Sequence, residues 1–91
     1  KCNTKDYIII SKDKSYSMAL TNDSCKQEHF EGNLYTKDKN VIFKYDVEIK
    51  TNKKDNDIVT KEIIGQIDEN YNIIINNNKF EEEKNDEWTT I

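Results

Sequence analysis

The chain has 91 residues, 34% hydrophobic and 35% charged, so it reads as a single domain over residues 1–91 with a thin core. Its fourteen basic residues are all lysine and its net charge is −4, which gives neither the basic face of a nucleic-acid binder nor an arginine fork for phosphate. No apolar run approaches the roughly 18 residues of a membrane-spanning helix, and none of the residue patterns specifies a cofactor.

Isoleucine, valine and threonine are plentiful, while the helix formers are nearly missing: there is one alanine, Ala19, and only Leu20 and Leu34. Propensity therefore leans to strand throughout. The first element is a hairpin. Tyr7, Ile8, Ile9 and Ile10 form one arm, Lys12, Asp13 and Lys14 the tip, and Tyr16, Met18 and Leu20 the apolar positions of the return arm. With Asp13 at the tip, Ile8 faces Met18 and Ile10 faces Tyr16. Cys2 lies eleven residues before Asp13 and Cys25 twelve after it, so the open end of the hairpin brings the two cysteines within disulfide reach. Oxidised cysteines in so small a domain point to a secreted, periplasmic or cell-envelope setting. A chain that begins at Lys1 fits a mature form whose signal peptide has been removed, or a trimmed segment. Lipoprotein processing at Cys2 is the alternative. Lys1 is a poor residue to precede a lipidated cysteine, and lipidation would leave Cys25 unpaired.

After the polar break Thr21 to Ser24, in which Ser24 and Gln27 have the spacing of a short capped helical turn, a strand runs over about 28–36. Phe30, Gly32 and Leu34 share one face of it. The residues 36–40 form a turn. Val41, Phe43, Tyr45, Val47 and Ile49 then alternate with Lys44, Asp46, Glu48 and Lys50, the pattern of a half-buried strand. A polar loop over 51–56 precedes a strand over 57–67. It carries Val59, Ile63 and Ile67 on one parity and Ile58 and Ile64 on the other, with Gly65 marking a bulge or a close backbone approach. Asp68, Glu69 and Asn70 form a hairpin turn; Tyr71, Ile73 and Ile75 form a strand that ends at Asn76, Asn77 and Asn78. The last segment reads two ways. Residues 79–83 and 88–91 form two more strands, or Asn78 and Glu81 cap a short helix anchored by Phe80 and Trp88. The whole is an all-β, antiparallel up-and-down meander of five to seven strands. It is an open sheet, a sandwich or a small barrel, with a C-terminal helix as the variant.

Catalytic chemistry finds little support, and no enzyme is expected. His29 is the single histidine and sits in a strand beside Glu28, which points to the opposite face. No elbow surrounds any serine. Asp55, Asn56 and Asp57 resemble the start of a calcium loop, but Val59 and Thr60 occupy positions that need a ligand and a glycine, so no metal site is expected. The charge imbalance is local. Glu81, Glu82, Glu83, Asp86 and Glu87, less Lys84, carry the whole net charge of −4. With Trp88 beside them they form the candidate partner-binding set, because an acidic patch with an aromatic anchor suits a cationic protein partner. The expected function is a non-enzymatic binding protein, such as an inhibitor or immunity protein acting on a cationic macromolecule. The alternative is a structural domain of a larger surface protein without its own activity. An open meander also leaves edge strands, so the chain is a monomer or a dimer paired through an edge.

Overall fold

The structure, a computed structural model, describes residues 2–50, 56–84 and 87–90. The strands run in order as β1 (Tyr7–Ile10), β2 (Ser15–Thr21), β3 (Gln27–Lys37), β4 (Asn40–Lys50), β5 (Asn56–Ile67), β6 (Ile73–Ile75), β7 (Asn78–Lys84) and β8 (Glu87–Thr90). Each pairs antiparallel with the next, and β8 pairs with β1, so the meander closes into a ring. Among the described residues there is no helix.

The first hairpin has the register read from its symmetry: Ile8 faces Met18 and Ile10 faces Tyr16. Its tip is tied by the Asp13 carboxylate, which accepts from the backbone N–H and the hydroxyl of Ser15. The Ser15 hydroxyl is the larger cause of a lowered Asp13 pKa. The Cys2–Cys25 disulfide is present, with the two Cα atoms 5.2 Å apart. The turn that carries Cys25 is organised by Asn22, whose side-chain oxygen accepts from the N–H groups of Ser24 and Lys26. Ser24 caps no helical turn there, because the asparagine side chain already holds these donors.

Eight strands replace the expected five to seven, and the C-terminal helix variant is corrected. The cause lies in the turn before β7. Asn76 and Asn77 both take positive φ, 51° and 67°, the conformation of a two-residue hairpin turn that asparagine tolerates. Asn78 thereby comes to pair with Ile75 and Phe80 with Ile73, so the segment is committed to a ladder. Tyr71 is also corrected. It lies in the preceding turn at φ 62° and is 79% exposed. There the Asp68 carboxylate accepts from the N–H groups of Asn70 and Asn72 and from the Asn72 amide. The Asn72 backbone bond is the first cause of a lowered Asp68 pKa.

The core is formed by Ile8, Tyr16, Met18, Val41, Phe43, Ile73, Ile75 and Phe80, with Phe30, Leu34, Ile63 and Trp88 packed around it. Both glycines permit close approach. A Cβ on Gly65 would stand 3.1 to 3.2 Å from side-chain carbons of Val41, Ile73 and Ile75. The β4–β5 register runs unbroken past Gly65, so close approach is the reading that holds and the bulge is not. At Gly32 a Cβ would fall 2.1 Å from the Lys44 carbonyl oxygen. Only a hydrogen at that position lets β3 and β4 cross where they begin to part.

The ring is not an even barrel. The β3 ladder to β4 covers only Leu34–Lys37 against Asn40–Phe43, and the β6 ladder to β5 covers only Gln66 and Ile67. From Lys44 to Lys50 and from Asn56 to Glu62, β4 and β5 pair with each other. They form an arm that leaves the ring. Its root is fixed by the Tyr16 hydroxyl, which donates to the Lys44 carbonyl at 2.7 Å, and by edge-to-face stacking of Phe30 on Tyr45.

Burial, followed by the neighbouring Tyr45, pushes the Tyr16 phenol up to about 12 from its ordinary 10.0. The folded state thus holds this proton more tightly than the unfolded chain does. The resulting stability is fully present below pH 10 and is lost as the pH rises through about 12. Alkaline titration followed at the tyrosinate absorbance, with Tyr16→Phe as reference, is expected to show Tyr16 ionising late and together with unfolding. A phenolate appearing near pH 10 in the difference between the folded protein and Tyr16→Phe would contradict this.

Candidate functional site

Of the residues proposed for partner binding, Glu81, Glu82, Glu83, Glu87 and Trp88 lie on the β7–β8 hairpin, and Asp86 lies outside the described residues. Glu81 stands opposite Thr89 and Glu82 opposite Trp88, with a register shift between Glu82 and Lys84. Phe80 is fully buried beneath them. Trp88 is half-buried against the core, and its indole N–H donates to the Tyr71 carbonyl at 3.3 Å. Its ring therefore closes one end of the core and ties β8 to the turn before β6. Glu81, Glu82 and Glu83 remain exposed, and Glu83 forms an ion pair with Lys5 at 3.1 Å. Both partners are well solvated, so the pair contributes little to stability.

The closure of the ring gathers residues that the sequence does not bring together. Ile8, Met18, Phe30 and Trp88 point into the core, so their neighbours on β8, β1, β2 and β3 face outward together. One row across the sheet reads Glu81, Thr89, Tyr7, Ala19 and His29. The next reads Glu87, Ile9, Ser17 and Glu31. Ala19 is fully buried, and on either side of it stand Tyr7 and His29, whose ring centroids are 6.5 Å apart. Ile9 is 40% exposed at the centre of the second row. β1, β2 and β8 contain no lysine, and β3 carries one only at its last residue, Lys37. In a chain with fourteen basic residues, the strand positions of these two rows supply carboxylates, hydroxyls, an imidazole and apolar side chains but no lysine, and Lys5, just before β1, reaches Glu83 at their border. Interface centres are depleted in charged residues and enriched in aromatic ones, so Tyr7 and Ile9 suit a centre, and Glu31, Glu81 and Glu87 suit the polar rim around it.

Tyr7, Ile9, His29 and Glu31 are the members of this face that the sequence reading passes over. The missing signal is the spacing of lysines: none occurs from Ser15 to Thr21 or from Gln27 to Thr36. That gap acquires meaning only when the register sets these strands side by side.

His29 is exposed, and its ring neighbour is Tyr7. Among the described residues, no group of three or more His, Cys, Asp or Glu side chains is placed to hold a metal ion. Of the calcium-like triplet, Asp55 lies outside the described residues, and Asp57 stands in β5 opposite Ile49. A shallow concavity lies at the root of the arm, lined by Tyr16, Glu31, Gly32, Lys44, Tyr45 and Asp46. Comparison with protein-family models, curated proteins and solved structures gave no match. The class of the molecule is therefore set by its architecture: a small, disulfide-bonded, all-β ring. The disulfide suggests an oxidising, extracytoplasmic setting.

Proposed function

We propose that this chain is a non-enzymatic, secreted or cell-envelope binding domain that recognises a cationic macromolecule, as an inhibitor or immunity protein does. The observation that carries the reading is the lysine-free outer face of β8, β1, β2 and β3. Tyr7 and Ile9 supply its apolar centre, and Glu31, Glu81 and Glu87 are the carboxylates of the same two rows. Desolvating these two rows requires no lysine within them to lose its water, and the carboxylates attract a basic partner before contact. Residues on paired strands present such a patch in one geometry, which keeps the ordering cost of binding low.

The test is capture from the native extracytoplasmic compartment followed by kinetics with the partner recovered. Glu31→Gln, Glu81→Gln and Glu87→Gln together are expected to slow association about tenfold at low ionic strength and much less at high salt. The unfolding free energy is expected to change by less than about 0.5 kcal/mol, as is usual at exposed positions. Association that is unchanged in the triple variant and insensitive to salt would remove the electrostatic reading. A large loss of stability would show instead that these carboxylates belong to the fold.

A further inference from the structure

The arm formed by β4 and β5 has two open edges, and they are built differently. On β4, the outward residues beyond Phe43 are Lys44, Asp46, Glu48 and Lys50, all charged and of the kind that discourage strand addition. On β5, the corresponding stretch holds Ile58, Thr60, Glu62 and Ile64, and Ile58 is 72% and Ile64 62% exposed. β5 carries Asp57, Lys61 and Glu62, but it lacks the other devices that normally blunt an edge. It has no proline, its register against β4 is unbroken, and its pairing with β6 is confined to Gln66 and Ile67. The direction of its backbone groups follows from Ile67, whose N–H donates to the Lys39 carbonyl on the β4 side. With two-residue alternation, odd-numbered residues of β5 address β4, and even-numbered ones turn their N–H and C=O groups to the open edge.

The geometry points to self-association: two copies of this chain pair antiparallel through the β5 edge, about a two-fold axis at Val59. In that register Ile58 exchanges backbone hydrogen bonds with the second copy's Thr60. Val59 meets its own counterpart, and Asp57 stands opposite the second copy's Lys61. Registers centred on Lys61 or Glu62 would set like charges face to face. The Val59-centred one places an opposite-charge pair on each side of an apolar centre. It also extends a stripe already present in the arm. Val47 pairs with Val59 on the parity of the core, and Val59 is 38% exposed. Joining two arms produces a four-stranded sheet in which Val47, Val59, and the second copy's Val59 and Val47 form one row. None of these residues belongs to the lysine-free face, so the dimer would present that face twice.

Sedimentation equilibrium between about 10 μM and about 1 mM covers the range in which so small an interface dissociates. The weight-average mass is expected to rise from one chain toward two across it. Ile58→Pro removes an N–H that faces the open edge and leaves the β4 ladder intact. It is expected to weaken the dimer at least tenfold, with the far-ultraviolet circular dichroism of the monomer retained. Asp57→Lys alone sets lysine opposite lysine twice and is expected to weaken association about tenfold. Asp57→Lys combined with Lys61→Asp exchanges the charges within the same register and is expected to restore it. A chain that stays monomeric throughout overturns the inference, as does a double exchange no better than the single one. Dimerisation of the Ile58→Pro protein at wild-type strength would do the same.

Discussion

Reduction of the Cys2–Cys25 bond is expected to lower the stability of the folded chain by about 3 kcal/mol, from the loop-closure entropy of a cross-link of this span. The two cysteines are 23 residues apart, so the closed loop contains the whole first hairpin and the β2–β3 turn. In the folded state the bond adds little that is not already present. The segment after Cys2 is also held by Asp6, whose buried carboxylate accepts from the backbone N–H and the hydroxyl of Thr21. The Gln27 side chain donates to the Lys5 carbonyl nearby. The main effect of the bond is therefore on the unfolded chain, which loses conformations when the loop is closed. For a domain with so thin a core, this is a large fraction of the total stability. Urea titrations of the oxidised protein and of Cys2→Ser with Cys25→Ser measure it directly. The variant should keep the native β-sheet signature at low denaturant and unfold at a lower midpoint. An unchanged midpoint would overturn this account and show that closing the loop removes little freedom from the unfolded chain.

The hairpin that this bond staples was legible because its evidence is local. Ile8, Ile10, Tyr16 and Met18 fall on one parity about Asp13, and one register satisfies the apolar face and the cysteines together. The alternation of Val41, Phe43 and Tyr45 likewise named the buried side of β4. It could not show where β4 loses β3 as a neighbour, because a strand alternates identically inside a ring and on an arm. The outcome is visible in burial: Phe43 is fully buried, whereas Ile49, on the same parity, is 42% exposed. The parting of the strands depends on the crossing at Gly32, and a lone glycine in a strand says only that something comes close. The aromatic character of Tyr71 argues for strand, whereas the Asp68 side chain, three residues earlier, captures the backbone on either side of it and holds it in a turn. The acidic hairpin was legible as a charge run. The face built from Tyr7, Ile9, His29 and Glu31 was not, since it exists only through the pairing of β8 with β1 and of β2 with β3.

Trp88→Ala is expected to cost on the order of 3 kcal/mol, the lower end for removing a large aromatic side chain, because the ring is half-buried rather than enclosed. Three losses contribute. The ring leaves the cluster that contains Ile8 and Phe80. The Tyr71 carbonyl loses the indole N–H that it accepts at 3.3 Å. The pairing of Ile8 with residue 88, through which the ring closes, loses its cross-strand side chain. β8 is short and pairs with β1 through Tyr7, Ile8 and Ile9, so weakening its centre loosens the closure itself. Hydrogen exchange is expected to report this as faster exchange in β1 and β8 with the β4–β5 ladder little changed. Trp88→Phe keeps one aromatic ring in the packing while removing the N–H and the rest of the indole, and should recover part of the loss. Binding supplies the contrasting outcome. If Trp88→Ala keeps its unfolding midpoint and its slow exchange in β1 but no longer holds the cationic partner, the indole is an anchor on the binding surface. The assignment of Trp88 to the core would then be wrong. If stability and partner binding fall together in Trp88→Ala and return together in Trp88→Phe, the ring acts by holding β8 and β1 in place, and with them Glu87, Tyr7 and Ile9.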